Sequence, residues 1–331
     1  MAAYTTIDDP EAYFQVKLYA GNSTARDITF DGDTDMQPDL VWIKERDDAI
    51  NHYLTDSVRG TPKKLTSNTT AAENAGDSNW INALNSDGFS VGNEDNINDT
   101  GDNYVAWCWK ESATAGFDIV AFEGNTTART ISHSLSAVPH FIIVKERDND
   151  NNWIVYHHKN TSAPETDFLK LESTDATYDD ATAWNDTAPT SSVFSVGAAA
   201  MVNRDSMITY LFTSVQGFSK FGSYTGNGNA DGTFIYTGFR PAWLMFKRTD
   251  ASSNAWIIVD NKRNTFNPQD NWLASSSGNA EATHTRFDFL SNGFKARQNY
   301  DNTNASGGNY IYMAFAEAPF VNSNGVPCNA R

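Results

Sequence analysis

Cysteine is almost missing from this chain. Two among 331 residues, Cys108 and Cys328, exclude a disulfide-stapled scaffold. Cys108 sits inside YVAWCW (104–109) and reads as a small core residue. No apolar run approaches the ~18–20 residues that a membrane-spanning helix requires. The opening MAAYTTIDDPEAYF carries acids and no basic n-region, so export by a cleaved leader is not expected. Basic residues are in deficit, 24 Lys and Arg against 41 Asp and Glu, giving a net charge of −17. That balance argues against nucleic-acid partners, which need a basic stripe, and against anionic membrane surfaces. Helical periodicity is scarce as well. Only TAAENAGDSNWINAL (70–84) offers a helical turn or two.

What the chain does have is a repeat. QPDLVWIKER (37–46), VPHFIIVKER (138–147) and RPAWLMFKRT (240–249) place Pro38, Pro139 and Pro241 at spacings of 101 and 102. Lys44, Lys145 and Lys247 keep the same step, and downstream SDGFSVG (86–92), SSVFSVG (191–197) and SNGFKAR (291–297) align. Each unit closes on an aromatic strand: NYVAWCWKE (103–111), SMITYLFTS (206–214) or NYIYMAFAE (309–317). Short apolar segments with Gly, Asn, Asp and Pro between them read as strands, with hairpin turns at DG (87–88) and NG (292–293). The expected fold is all-β. It comprises three tandem homologous β-sandwich repeats, jelly-roll or lectin-like, at 14–115, 116–216 and 217–320, with an N-terminal arm at 1–13 and a tail at 321–331. One pseudo-threefold β body is the alternative. The joints, SATA (112–115) and VQ (215–216), are too short for flexible linkers. The Lys closing each Pro-led strand is expected at the sheet rim.

Catalytic and cofactor motifs are not found: no nucleophile elbow, no zinc spacing, no phosphate loop and no dinucleotide fingerprint. His157 and His158 stand where the other units carry Asp56 and Asp260, and read as surface or rim residues. The run Asp31, Asp33, Asp35 opens like a calcium loop but has Trp42 where the closing bidentate Glu belongs, so calcium is a minor alternative to a polar hairpin tip. No cofactor is otherwise expected. Loops 93–103, 175–191 and 298–308 differ most between units, and specific binding is expected there. Trp184, Tyr178 and Tyr300 are the rings in them suited to stacking on a sugar.

PDLVWIKER, SDGFSVG, GDNYVAWCWK, GFSKFGSYTGNGNADGTFIYTGFRPAWLMFKRTD and NYIYMAFAEAPF together resemble a domain recurrent in virion proteins of tailed bacteriophages, marine and cyanobacterial ones in particular. The resemblance covers about residues 14–320 and lies in strands, turns and core aromatics. It implies a non-enzymatic virion structural protein, tail-associated and tail-fibre-like. Its implied partners are other virion proteins, further copies of itself and a host-surface glycan. A capsid decoration protein and a polysaccharide depolymerase are the alternatives. The second unit departs from the pattern, having RDSM (204–207) where the others have Gly before the closing strand.

Overall fold

A computed structural model describes residues 4–328. Strand takes 42% of the residues and helix 4%, so the fold is all-β, as the turn punctuation predicts. Every strand pairing is antiparallel.

One strand order recurs along the chain. In the first large sheet the order is Phe14–Ala20, Asn103–Trp109, Leu40–Glu45, Tyr53–Asp56, Leu65–Thr66, with Arg26–Ile28, Gly88–Val91 and Ile81–Asn85 forming a smaller sheet. The second large sheet runs Phe117–Glu123, Ser206–Phe212, Phe141–Glu146, Trp153–His157, Asp167–Lys170, Tyr178–Asp179, with Arg129–Ser132 and Val193–Val196 beside it. The third begins Ser219–Thr225, Asn309–Pro319, Phe239–Arg248, Ile257–Asp260, Gln269–Ala274. It then continues through Ala282–Leu290, Gly293–Ala296 and Phe234–Tyr236 as one sheet of eight. The long strand Ala282–Leu290 reaches both halves, which fuses the two layers there.

The Pro-led strands explain why the chain does not separate into three independent sandwiches. Side chains alternate across a strand. Val41 and Ile43 face the first unit's own core, Ile142 and Val144 the second's, Leu244 and Phe246 the third's. Their neighbours Trp42, Phe141, Ile143, Trp243 and Met245 point the other way, into one cluster shared by all three units. Burial on both faces is why these strands read as continuous apolar runs. The void left among Trp42, Trp109, Phe212, Trp243 and Met313 is about 10 Å³, too small to hold a water comfortably. One apolar cluster therefore joins the three sets of antiparallel sheets.

The ring is closed by seams that repeat the same contacts. At the first–second seam the fully buried Arg59 pairs with Asp56, and Tyr210 Oη donates to the same carboxylate at 2.7 Å. Glu73 then bridges Arg59 (3.2 Å) and Arg147 (2.8 Å). At the third–first seam Arg263 pairs with Asp260 at 2.6 Å, and Trp107 Nε1 donates to Asp260 at 3.0 Å. There Glu281 bridges Arg263 (2.9 Å) and Arg46 (2.7 Å). The backbone bonds Glu73 N to Arg147 O and Glu281 N to Arg46 O recur at the second–third seam as Thr177 N to Thr249 O. That seam has lost the ion pairs. His157 and Asn160 replace the Asp and Arg, and His157 Nε2 meets the Tyr312 carbonyl at 3.2 Å.

Several expectations need correction. Lys44, Lys145 and Lys247 do not emerge at a rim. All three are fully buried, and each ammonium donates to carbonyls of the turn that follows: Asp48 O at 3.1 Å for Lys44, Glu146 O at 2.6 Å for Lys145, Arg248 O at 3.0 Å for Lys247. Burial pulls each of them down to about 8. His157 is buried in its seam, and burial with His158 pulls it down to about 3. The N-terminal segment is no free arm, because Thr5, Ile7 and Pro10 are buried and Ile7 enters the shared cluster. Residues 1–3 and 329–331 of the two termini lie outside the described residues.

Candidate ligand-binding clefts

The three rings singled out in the sequence go to three different environments. Trp184 is 2% exposed, packs on Tyr156 and donates its Nε1 to the Asp167 carbonyl at 3.0 Å. It belongs to the second unit's core and offers no stacking face. Tyr178 is half-buried, stacked on Phe168 at 5.1 Å, with the Lys170 ammonium 4.2 Å from its ring centre. Both of its faces are used internally. Tyr300 alone is open, 44% exposed, at the mouth of a cleft of about 360 Å³.

That cleft is lined by Trp272, His284, Arg286, Tyr300 and Asn302, with Ser253 and Asn254 opposite. Arg286 is 3% exposed and lies between two rings, its guanidinium 4.6 Å from Trp272 and 5.6 Å from Tyr300. Nη1 donates to Thr303 Oγ1 at 3.0 Å and to Asn302. Neither Arg286 Nε nor Trp272 Nε1 has an acceptor among the described residues. Burial without a carboxylate partner pulls this guanidinium down to about 10. An aromatic wall beside a cation with spare donors suits a polar, ring-shaped ligand.

A second cleft, about 790 Å³, opens along the second–third seam. Two edge strands border it, Ser219–Thr225 and Phe234–Tyr236, with His158 and Lys159 from the second unit. Phe234 and Tyr236 are 45% and 48% exposed, large values for aromatic residues on strands. Lys220 Nζ donates to the Tyr236 carbonyl at 2.8 Å and lies 5.3 Å from its ring centre, which holds that ring in place. Gly222 is required at the wall, because a Cβ there would come within 2.6 Å of Tyr312 Oη. Tyr4 from the N-terminal segment closes one end through Tyr236 Oη (3.0 Å) and the Gly238 carbonyl (2.9 Å).

No carboxylate lines this groove, although the chain carries 41 acids. The matching cleft at the third–first seam contains Glu11 and Glu317. Sequence reasoning missed the groove because its parts come from strand edges of one unit and a turn of another. One signal was present: the single copy that puts His157 and Asn160 where the others have Asp and Arg.

The polar loops carry a structural constant inside their variation. Asn98, Asn203 and Asn304 are buried, and their carboxamides accept from the backbone N–H of Asn22, Asn125 and Asn227 at 3.1, 3.2 and 3.0 Å. The same side chains donate to Gly92 O, Gly197 O and Asn229 O, tying each loop to its unit. The hairpin-tip acids behave as polar surface: Asp31 pairs with Lys17 at 2.5 Å, and Asp33 N donates to Glu11 at 3.1 Å. Burial and Asp118 push Glu111 up to about 7, but neither residue lines either cleft.

No curated protein matches the chain. A family model described as a domain of unknown function (DUF7483) matches residues 9–319, and the chain belongs to that family.

Proposed function

We propose that the protein is a non-enzymatic structural protein of a tailed-phage virion, tail-associated and oligomeric, which binds saccharide on the host surface. The observation that carries the binding role is the seam groove, with two exposed aromatic rings, the held Lys220 ammonium and no acid among its described lining residues. Sugar rings stack on Tyr and Phe faces while hydroxyls take donors such as Lys159 and Tyr312 Oη. The closed ring supports this reading, because a groove held by a shared core is pre-organised and loses little entropy on binding. Capsid decoration would use the same scaffold at another place on the particle. A depolymerase would need its acid and base across a cleft, and the seam groove has no carboxylate among its described lining residues.

Labelled antibody against this chain, imaged on gradient-purified particles of the phage that encodes it, tests the placement. Label at the tail is expected. Label at the head favours decoration, and unlabelled particles rule out a virion role.

A further inference from the structure

The pseudo-symmetry exposes an uncompensated cluster in the first unit. In the second unit, Glu146 is buried and fully satisfied: Asn149 and Asn151 each donate to it at 2.6 Å, and Arg204 grips it at 3.0–3.2 Å. Asn149 also donates to Asp205 at 3.1 Å, so an amide and a guanidinium separate the two carboxylates.

The first unit rebuilds this corner with acids only. Glu45 matches Glu146 and Asp48 matches Asn149. Asp102 matches Asp205, because Gly21 N and Gly124 N donate to the carbonyls of Asp102 and Asp205 at 2.8 and 2.7 Å. Asp99-Thr100-Gly101 lie where Arg204 stands, so the guanidinium is gone. Carboxylate oxygens of Glu45, Asp48 and Asp102 all lie within 4.8 Å of one another. Glu45, which offers one of these oxygens, is 2% exposed, and its Oε1 has no hydrogen-bond partner among the described residues. Lys44 does not account for the difference, since Lys145 binds the corresponding carbonyls in the second unit. A buried carboxylate oxygen without a partner is costly, and three facing carboxylates repel one another unless a proton or a cation comes between them.

We propose that Glu45, Asp48 and Asp102 bind a calcium ion, which takes the place that Asn149 and Arg204 fill in the second unit. The donor set is all oxygen. Ligands at roughly 2.3–2.6 Å from one ion are at most about 5 Å apart, as these are, and water completes the shell at the exposed Asp48 side. This site is remote from both clefts and stands whether or not the groove binds saccharide. Its ligands come from two loops, 45–48 and 102, so the ion would pin the Pro-led strand's turn to the variable loop 93–103.

The test is calorimetric melting of the full chain in chelator and in increasing calcium, with magnesium as the comparison. Calcium should raise the midpoint by about 4 °C at a hundredfold excess over Kd. Asp48→Asn and Asp102→Asn, both at solvent-accessible positions, should abolish that rise, whereas Asp205→Asn should keep it. In chelator, Asp48→Asn should melt at or above the unsubstituted protein, because it restores the second unit's amide. No calcium-dependent rise up to millimolar concentration, or an equal rise in Asp48→Asn and Asp102→Asn, overturns the proposal.

Discussion

Replacing Trp243 by Ala tests whether the three units share one core. The ring is fully buried where the units meet. It stands 5.5 Å from Trp109 at 87°, 6.4 Å from Trp107, 6.3 Å from Phe14 and 6.0 Å from Phe315. Three of those four rings belong to the first unit. Truncating a buried Trp costs about 3–5 kcal/mol, because the cavity adds to the lost transfer energy. At roughly 2.1 cal/mol/K per residue, a chain of 331 residues melts with an entropy of about 0.7 kcal/mol/K, so the midpoint should fall by about 4–7 °C. Scanning calorimetry should show one transition before and after the change. Trp243→Phe should cost much less, since it keeps a ring and removes a buried Nε1 that has no acceptor. Two or three separate transitions, with only one displaced by Trp243→Ala, would refute the shared core.

Arg59→Met should cost about 3–5 kcal/mol, since it strands the buried Asp56 carboxylate, and the further change Asp56→Leu should recover part of that loss in denaturant melts. The buried lysines set a pH dependence. Each has its pKa lowered to about 8 from 10.5, so the unfolded chain holds a proton that the folded one releases. Stability should therefore rise between pH 8 and 10.5, by roughly 1 kcal/mol per lysine at pH 9, and a midpoint that falls from pH 7 to 9 contradicts their burial. Glu111, raised from 4.5 to about 7, has the opposite sign: stability is lost as pH rises from 4.5 to 7. Glu111→Gln should therefore stabilise the protein at pH 8 and change little at pH 4, with equal effects at the two pH values refuting the raised Glu111 carboxyl.

The fold was legible where burial acts on both strand faces. Trp42, Ile142 and Leu244 on the Pro-led strands are all inside, because a strand between two cores must be apolar throughout. The lysines ending those strands were misread for a physical reason. Pattern alone does not show that a long side chain can turn inward and cap the carbonyls of the next turn. Trp184 misled similarly: its neighbours are polar, yet its ring fills the core while its N–H satisfies a carbonyl. Tyr300 was found, but Arg286, 14 positions upstream, was not, since only the fold brings the two together. Asn98 and Asn304 were hidden inside loops read as variable, although they and Asn203 hold matched positions.

The account's central claim is that the second–third seam forms a saccharide-binding groove. The direct measurement is calorimetric binding of polysaccharide extracted from the host surface, comparing the unsubstituted chain with Tyr236→Ala and Phe234→Ala. Measurable binding is expected that each substitution weakens at least tenfold, about 1.4 kcal/mol per lost ring; the midpoint should be unchanged in Phe234→Ala, whose ring is exposed, and slightly lower in Tyr236→Ala, which also loses the Tyr4 hydroxyl contact. Equal affinity in all three proteins, or no binding by any of them, contradicts it.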